Sequence, residues 1–304
     1  MQNIANKMKR LFDGRVPVIA VPYFWLVLFF LLPFLIVLKI SLSEMEVTKI
    51  SPLVNFADGS FTLNIKLNNF FSLFADEQQY YLRTYMRSIG FAFATTILCL
   101  LIGYPFAYFM ARSPTHMRPA LLMLVMLPFW TSFLLRIYAW KGILENNGLL
   151  NNLLIWMGVI NEPIHMMHTK FSLILGMVYT YLPFMILPLY SNLVKLDNRY
   201  LEAAADLGAT PLQAFWRVTV PLSKAGIVAG SMLVFIPCIG EFVIPELLGG
   251  PETLMIGRVL WDEFFSNNDW PRASAVAVVM ILLILVPLAI FNKYEAEQME
   301  GKKQ

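Results

Sequence analysis

The sequence predicts an all-α integral membrane protein with six transmembrane helices and both termini in the cytoplasm. Hydrophobic residues make up 58% of the 304 residues and charged residues only 14%, whereas soluble domains are about 45–50% apolar and about 25% charged. The apolar residues are concentrated in six stretches, each close to the ~20 residues that a helix needs to cross a bilayer. The formal net charge of +3 is too small to indicate a nucleic-acid-binding protein.

The six predicted spans cover residues 18–40, 88–111, 119–140, 171–193, 225–248 and 273–291. The first follows a charged N-terminal stretch, but it is too long for a signal-peptide core and lacks a small-residue cleavage site, so we predict that it is retained. Lys and Arg are densest in the two termini, in the loop near Arg112 and Arg118, and in the loop at 194–224. Because cytoplasmic loops carry an excess of these residues, both termini are predicted to be cytoplasmic.

The chain is predicted to divide into an N-terminal part and a five-helix core. Residues 1–86 would form a cytoplasmic tail, the first span and a long external segment. Residues 87–293 would form the core, and residues 294–304 a second cytoplasmic tail. A short interfacial helix is predicted over 148–159, in the external loop between the third and fourth spans, because Asn- and Gly-marked turns flank it.

The loop between the fourth and fifth spans contains a polar stretch, EAAADLGATPLQAFWRVTVP (202–221), that predicts two short helices joined by a turn. One face of the first helix is apolar and consists of Tyr200, Ala203, Ala204 and Leu207. Asp197 or Asn198 can cap its start, and Gly208 suits the left-handed position just past its end. Thr210 and Gln213 form a T-x-x-Q capping box for the second helix, with Pro211 at its first position.

The surface of this elbow, residues 197–221, is unusual for a solvated loop. Its second helix carries Leu212, Phe215 and Trp216 on one side and ends at Pro221. In the first helix, Glu202 and Asp206 are like charges at i, i+4, an arrangement that destabilises an isolated helix by a few tenths of a kcal/mol. A cationic partner would remove that conflict, so we predict that a partner docks on the elbow. The alternative is a solvated loop whose apolar side lies on the bilayer interface.

The spacing of these residues resembles the EAA signature of ABC-importer permeases, EAA-x3-G-x9-I-x-LP, with Val218 and Val220 in place of Ile and Leu. The resemblance implies the type I ABC-importer permease fold, in which the elbow is a coupling helix seated in a cleft of a cytoplasmic ATPase. The coupling residues that it implies are Glu202, Ala203, Ala204, Asp206, Gly208, Thr210, Pro211, Phe215, Trp216 and Pro221.

Three further stretches are similar to the polyamine (putrescine/spermidine) permeases of that family, in particular to the longer permease subunit of a putrescine importer. They are LIGYPFAYFMA (101–111), LPFWTSFLLRIYAWKGIL (127–144) and LLGGPETLMIGRVLWDEFFSNNDWPRASA (247–275). The likeness implies a transport subunit of the cell inner membrane that forms half of a translocation path. It also implies the partners: a second permease in a heterodimer, two copies of an ABC ATPase, and an external solute-binding protein.

The fifth predicted span could carry part of that path. Pro237, Gly240 and Pro245 interrupt it, which membrane helices tolerate where neighbours or a cavity satisfy the freed backbone groups. Glu241 and Glu246 lie in the same span, and a carboxylate near the membrane centre costs about 2.5–3.5 kcal/mol on insertion scales. Aromatic side chains that could line the same route are those of Trp130, Tyr138, Tyr179 and Tyr181.

Each of these residues also has a purely structural interpretation. Glu241 could form an ion pair or an interhelical hydrogen bond without contacting a substrate, and the aromatic residues could simply pack. At the level of function, Glu241 could instead serve an ion-coupled secondary transporter, although such a carrier would need a second homologous half in the chain. The sequence is also compatible with a permease for another small solute or with a membrane scaffold.

Motifs for enzymatic activity and metal binding are absent from the sequence. The single Gly-Lys pair, Gly301–Lys302, has Ala296 where a P-loop requires Gly. We therefore expect that the chain binds no cofactor and has no ATPase site, and that ATP is used by a partner subunit. No Ser/His/Asp or H-E-x-x-H arrangement is present. His165 and His168 are expected to bind no metal, and Cys99 and Cys238 are expected to be free thiols.

The predicted orientation can be tested by cysteine labelling. A cysteine at Asn68 should react with a membrane-impermeant maleimide in whole cells, because the segment after the first span is predicted to be external. A cysteine at Gln213 should react only after the cells are opened. Labelling of Gln213→Cys but not Asn68→Cys in intact cells would overturn the orientation argued from Lys and Arg density.

Overall fold

The computed structural model describes residues 15–46, 49–51, 54–57, 60–63, 65–75 and 79–301. The chain forms two compact units: Met1–Ala75 with Glu263–Val279, and Asp76–Asp262 with Met280–Gln304.

The first unit begins with helix α1 (Arg15–Leu26), which continues through a π-helical turn (Val27–Leu31) into α2 (Leu32–Ser41). None of the side chains in its most apolar stretch is buried within the structure, as expected of a helix that faces lipid. Helix α3 (Asn68–Ala75) is attached to the end of α2 by a side-chain amide. Asn69 Nδ2 donates hydrogen bonds to the backbone oxygens of Ser41 at 3.0 Å and Ser43 at 2.8 Å.

Two short β-hairpins lie between α2 and α3. Strands β1 (Met45–Glu46) and β2 (Lys49–Ile50) pair antiparallel, as do β3 (Val54–Ala57) and β4 (Ser60–Leu63). The fold is otherwise helical, which confirms the predicted all-α class, and the hairpins are a local addition in the segment between α2 and α3.

The second unit is built around three helices that pack against one another: α4 (Tyr80–Arg112), α8 (Lys170–Leu193) and α12 (Lys224–Ile239). Glycine allows the last two to approach closely. A Cβ atom on Gly230 would lie 2.8 Å from Met185 Sδ and 3.1 Å from the Met185 backbone oxygen. Small residues serve membrane helices in this way, because the gain on packing comes from close van der Waals contact rather than from water exclusion.

The remaining helices of this unit are short. They are α5 (Arg118–Met126), α6 (Phe133–Leu144), α7 (Leu149–Trp156), α9 (Arg199–Asp206), α10 (Pro211–Ala214), α11 (Val220–Leu222), α13 (Val243–Leu248) and α14 (Ile256–Trp261). The long last helix α15 (Trp270–Gly301) belongs to both units. Helix α7 lies within the predicted interfacial helix at 148–159. Cys99 and Cys238 are free and buried, as predicted.

Within the described residues, four helices are long and apolar enough to cross a membrane: Val18–Ser41, Tyr80–Arg112, Lys170–Leu193 and Trp270–Ala289. They correspond to the first, second, fourth and sixth predicted spans. Two bent pairs would bring the count to six. One joins Arg118–Trp130 to Phe133–Trp156 at 86°, and the other joins Pro211–Leu222 to Lys224–Ile239 at 66°.

The third and fifth predicted spans are therefore not continuous helices. In the third, a 3-10 turn (Leu127–Trp130) is followed by Thr131 and Ser132 in extended conformation, with ψ of 153° and 134°. In the fifth, α12 ends at Ile239 and α13 starts only at Val243. Pro128 and Gly240 stand beside these breaks, and both residue types interrupt the regular helical hydrogen-bond ladder.

Candidate functional site: the 197–221 elbow and the acidic residues of the broken fifth span

The elbow at 197–221 folds as two short helices with a glycine between them. Helix α9 ends in a turn in which the amides of Gly208 and Ala209 donate to the carbonyls of Ala205 at 2.8 Å and Ala204 at 2.9 Å. Gly208 has φ +82°, a left-handed conformation that glycine adopts without steric cost. The glycine therefore sets the angle at which the chain leaves α9, and the predicted left-handed position is confirmed.

Both helices of the elbow have side-chain caps. The Thr210 hydroxyl accepts from the Gln213 amide at 3.3 Å, and the Thr210 amide donates to Gln213 Oε1 at 2.9 Å, which confirms the predicted capping box. At the start of α9, Asp197 Oδ1 accepts from the Arg199 amide at 3.0 Å. The caps satisfy donors that a short helix would otherwise leave to water. The elbow is thus defined by its own sequence.

The elbow is held on the end of α4 by aromatic and polar contacts. The ring of Phe215 makes edge-to-face contacts with Tyr104, at 5.5 Å between centroids, and with Tyr108, at 5.7 Å. The hydroxyls of Tyr104 and Ser223 are hydrogen-bonded at 2.7 Å. The Arg112 guanidinium donates to Asn198 Oδ1 at the other end of the elbow. These contacts connect α4 to both ends of the elbow.

This attachment corrects one detail of the predicted surface. The sequence placed Phe215 with Leu212 and Trp216 on one exposed side, but Phe215 is only partly exposed and packs inward. Its contacts with Tyr104 and Tyr108 turn the Phe215 ring towards α4, whereas Trp216 stays exposed. Sequence reasoning missed the roles of Tyr104 and Tyr108, although their i, i+4 spacing within 101–111 was the available signal.

The outward side of the elbow exposes large apolar side chains beside two carboxylates. Leu207 is 89% exposed, Leu212 69% and Trp216 62%. Glu202 and Asp206 are exposed as well, and neither forms an ion pair with any other described residue. Exposed apolar residues rimmed by polar groups are typical of a protein interaction site.

Glu241 lies at the break of the fifth span and is bound by two elements. The Tyr181 hydroxyl of α8 donates to Glu241 Oε2 at 2.5 Å. Glu241 Oε1 accepts from the amides of Phe242, Val243 and Ile244 at 3.1, 3.0 and 3.4 Å. A carboxylate at the start of a helix is stabilised by the unpaired amides and by the helix dipole. The structure thus brings Tyr181 and Glu241 together and gives the carboxylate a capping role for α13.

Glu246 is paired with a cation that the sequence analysis did not identify. The Arg258 guanidinium of α14 forms ion pairs with Glu246 and with Asp262, the latter at 2.9 Å. The three side chains together carry a net charge of −1. The aromatic rings of Phe242 and Trp261 stack on each other, with their centroids 4.7 Å apart. The net negative charge of this cluster is therefore smaller than that of two unpaired carboxylates.

None of the other predicted pathway aromatics, Trp130, Tyr138 and Tyr179, is buried. Trp130 and Tyr138 are exposed, whereas Tyr179 is partly exposed and makes an edge contact with Trp140 at 5.4 Å. Arg136, which lies between Trp130 and Tyr138 in the sequence, is a second cation that the sequence analysis did not identify. The Arg136 guanidinium lies 5.2 Å from the Phe129 ring centroid and 5.9 Å from that of Phe133, close enough for cation–π attraction.

His168 takes part in local structure. His168 Nδ1 is hydrogen-bonded to the Gly249 backbone oxygen at 2.7 Å. Among the residues that the structure describes, no group of three or more His, Cys, Asp or Glu side chains could hold a metal ion.

Comparison with known proteins gives relatives over the full chain. The spermidine/putrescine transport system permease protein PotB of Haemophilus influenzae is 41% identical over 305 aligned residues, covering 100% of this chain and 99% of that protein. PotB of Escherichia coli K12 is 39% identical, covering 92% of this chain and 96% of that protein. The inner membrane ABC transporter permease protein YdcU of Escherichia coli is 33% identical over 69% of this chain and 71% of its own length.

Solved structures show the same fold at low sequence identity. A bacterial alginate ABC transporter, determined in complex with an alginate pentasaccharide-bound periplasmic protein, contains a chain with a TM-score of 0.66 and 19% identity. The match covers 95% of each chain. A chain of the methionine ABC transporter MetNI matches with a TM-score of 0.52 and 15% identity, over 72% of this chain and 97% of its own. The fold is therefore that of type I ABC-importer permeases.

A model of one protein family matches most of this chain. Residues 103–296 match the binding-protein-dependent transport system inner membrane component. This range contains the elbow and the acidic residues described above, and the polyamine-permease resemblance is supported by the PotB relatives. The chain thus belongs to the binding-protein-dependent transport system inner membrane components, and it is a multi-pass permease subunit of an ABC importer.

Proposed function

We propose that this permease forms half of the translocation path for a polyamine and that the 197–221 elbow couples it to a separate ATPase. The observation that carries the coupling proposal is the elbow itself. It is capped by its own side chains, exposes Leu207, Leu212 and Trp216, and is fixed to α4 through Phe215. An exposed apolar surface that is held in one orientation is typical of an interaction site and is not expected of a loop that only contacts water.

The attachment of the elbow suggests how movement would be transmitted. Tyr104 of α4 contacts Phe215 and is hydrogen-bonded to Ser223, the residue that precedes α12. Helices α4 and α12 both pack on α8. A displacement of the elbow by a docked ATPase would therefore be passed to all three central helices, as alternating access requires.

The proposed assembly contains four other subunits of three kinds. A second permease completes the path as a heterodimer, two copies of the ATPase use ATP, and a solute-binding protein delivers the cargo. In this proposal the chain has cytoplasmic termini, a core at 87–293, and no cofactor of its own. Partners of these kinds are supported by the alginate ABC transporter, which was determined in complex with a periplasmic protein, and by the methionine ABC transporter MetNI.

A polyamine is proposed as the transported solute for two reasons, the names of the PotB relatives and the acidic and aromatic residues along the proposed path. Both PotB relatives carry spermidine/putrescine in their names. Glu241 and the Glu246–Arg258–Asp262 cluster supply negative charge, and Trp130 and Tyr138 present exposed rings. An ammonium over such a ring gains about 0.5–2 kcal/mol. An ion-coupled carrier is disfavoured because residues 103–296 match the permease component of binding-protein-dependent systems.

The whole proposal can be tested by uptake of radiolabelled putrescine and spermidine in cells that express the complete transporter. Uptake should depend on this chain and should stop when hydrolysis by the ATPase is blocked. Uptake that continues without hydrolysis would favour an ion-coupled carrier. Hydrolysis-dependent uptake of a different solute, with none of either polyamine, would identify a permease for that solute instead.

The elbow prediction concerns Gly208→Val. A branched side chain at φ +82° costs at least about 1 kcal/mol and should turn the second elbow helix away from its dock. We expect normal membrane insertion but loss of ATPase co-purification and of uptake. Gly158→Val is a matched control, because Gly158 has φ +71° and open space around it but lies outside the elbow. Equal uptake in the two variants would contradict the coupling role.

Charge reversal tests the acidic face of the elbow. If Glu202 and Asp206 meet basic groups of the ATPase, Glu202→Lys should reduce the amount of ATPase recovered with the permease far more than Glu202→Gln does. Glu162→Lys provides a control, because Glu162 is also exposed but lies outside the elbow. If both Glu202 variants recover as much ATPase as the wild type, the two carboxylates belong to a solvated face.

The prediction for the path concerns Glu241→Gln. Glutamine keeps an oxygen that can accept the α13 amide bonds, so the complex should assemble, but the charge is lost. We expect uptake of putrescine to fall about tenfold, equivalent to about 1.4 kcal/mol. Tyr181→Phe, which removes only the hydrogen bond to Glu241, should have a smaller effect. Wild-type uptake in Glu241→Gln would show that this carboxylate serves only to cap α13.

A further inference from the structure

A cavity of about 570 Å³ opens beside the first part of α4, away from the elbow. Its lining consists of Arg87, Gly90, Phe91, Ala94, Lys170, Ile174 and Glu252. A smaller cavity of about 130 Å³ shares Arg87 with it and is also lined by Arg83. The proposed transport path uses none of these residues, so the cavity requires its own explanation.

The polar part of the cavity has a net positive charge. Arg83, Arg87 and Lys170 face a single acidic residue, Glu252. The Lys170–Glu252 pair is 3.8 Å apart with both side chains largely exposed, and such pairs contribute little. Neither Arg83 nor Arg87 forms an ion pair with another described residue. The described residues that line the two cavities therefore carry a net charge of +2, which favours an anion.

The cations lie at the depth of lipid headgroups. Arg87 precedes Arg112 by 25 residues of α4, or about 37 Å at ~1.5 Å per residue. Lys170 precedes Leu193 by 23 residues of α8, or about 35 Å. The hydrocarbon core is about 30 Å thick, and the bilayer with its headgroups about 40–45 Å. With Arg112 and Leu193 at one core boundary, Arg87 and Lys170 both reach the opposite headgroup layer.

The part of the cavity that lies deeper in the membrane is apolar. Gly90, Phe91 and Ala94 follow Arg87 along α4 by one to two turns, and Ile174 follows Lys170 by one turn of α8. No heavy atom lies within 4 Å of the position that a Cβ on Gly90 would occupy. An extended hydrocarbon chain therefore has room to lie over this glycine.

We propose that this cavity binds an anionic phospholipid. Arg87 and Lys170 hold the phosphate, Arg83 holds the outer edge of the headgroup, and an acyl chain lies over Gly90 and Ala94. A carboxylate of a docked protein could use the same cations but would leave the apolar floor uncovered. A polyamine is excluded because the site repels cations. The proposal is independent of the transported solute.

The experiment is native mass spectrometry of the purified transporter complex, with phosphatidylglycerol or phosphatidylcholine added at equal concentration. The wild type should retain phosphatidylglycerol over phosphatidylcholine. In Arg87→Gln/Lys170→Gln, phosphatidylglycerol affinity should fall about tenfold or more, because charge-assisted bonds to the phosphate are lost. Lys195→Gln is the charge control, because it removes an exposed lysine beyond the other end of α8.

A second variant tests the apolar part without changing charge. Gly90→Leu should fill the chain groove and reduce retention of phosphatidylglycerol, whereas Gly142→Leu, at another open helical glycine, should not. Equal retention in these two variants, or no preference of the wild type for the anionic lipid, would overturn the proposal. Loss of solute-binding-protein docking in the double variant, with lipid retention unchanged, would assign the cations to a protein partner and overturn it as well.

Discussion

The contact of Phe215 with Tyr104 and Tyr108 is the interaction on which the proposed coupling depends. Two edge-to-face aromatic pairs, each worth about 0.5–1.5 kcal/mol beyond the area that they bury, hold the elbow against α4. The Tyr104–Ser223 hydrogen bond fixes the start of α12 to the same residue. Without this attachment the caps at Thr210 and Gly208 would still define the elbow, but its movement would not reach the membrane helices.

The central helices suit this arrangement because their packing is close and specific. Gly230 lets α12 approach α8 so closely that a Cβ would lie 3.1 Å from the Met185 backbone oxygen, and α4 packs on both helices. Close-packed interfaces of this kind transmit a displacement instead of absorbing it. The breaks at Thr131–Ser132 and Gly240–Phe242 lie outside these three central helices. The unit thus combines a packed centre with interrupted segments that can present backbone and side-chain polar groups.

The local features of the elbow could be predicted from the sequence because each depends on residues only a few positions apart. The Thr210–Gln213 box and the left-handed Gly208 follow from i, i+3 spacing and from glycine's freedom at positive φ. The inward orientation of Phe215 could not be predicted, because it is determined by Tyr104 and Tyr108, more than 100 residues away in the chain. The Arg258–Glu246 pair was missed because it joins two different helices. Hydropathy did not indicate the break in the third span, whereas Pro237, Gly240 and Pro245 predicted the interruption of the fifth.

The hydrogen bonds around Glu241 affect how a carboxylate in a predicted membrane span should be interpreted. An acidic residue in an apolar segment first indicates a path for cations, because a buried charge without a partner is costly. Here three backbone amides and the Tyr181 hydroxyl offset that cost before any substrate arrives. A carboxylate that already accepts four hydrogen bonds holds a passing ammonium only weakly, because most of its lone pairs are engaged. Weak attraction suits a transport path, since a cargo that binds tightly at the break would not be released. The capping role and the proposed path role of Glu241 are therefore compatible.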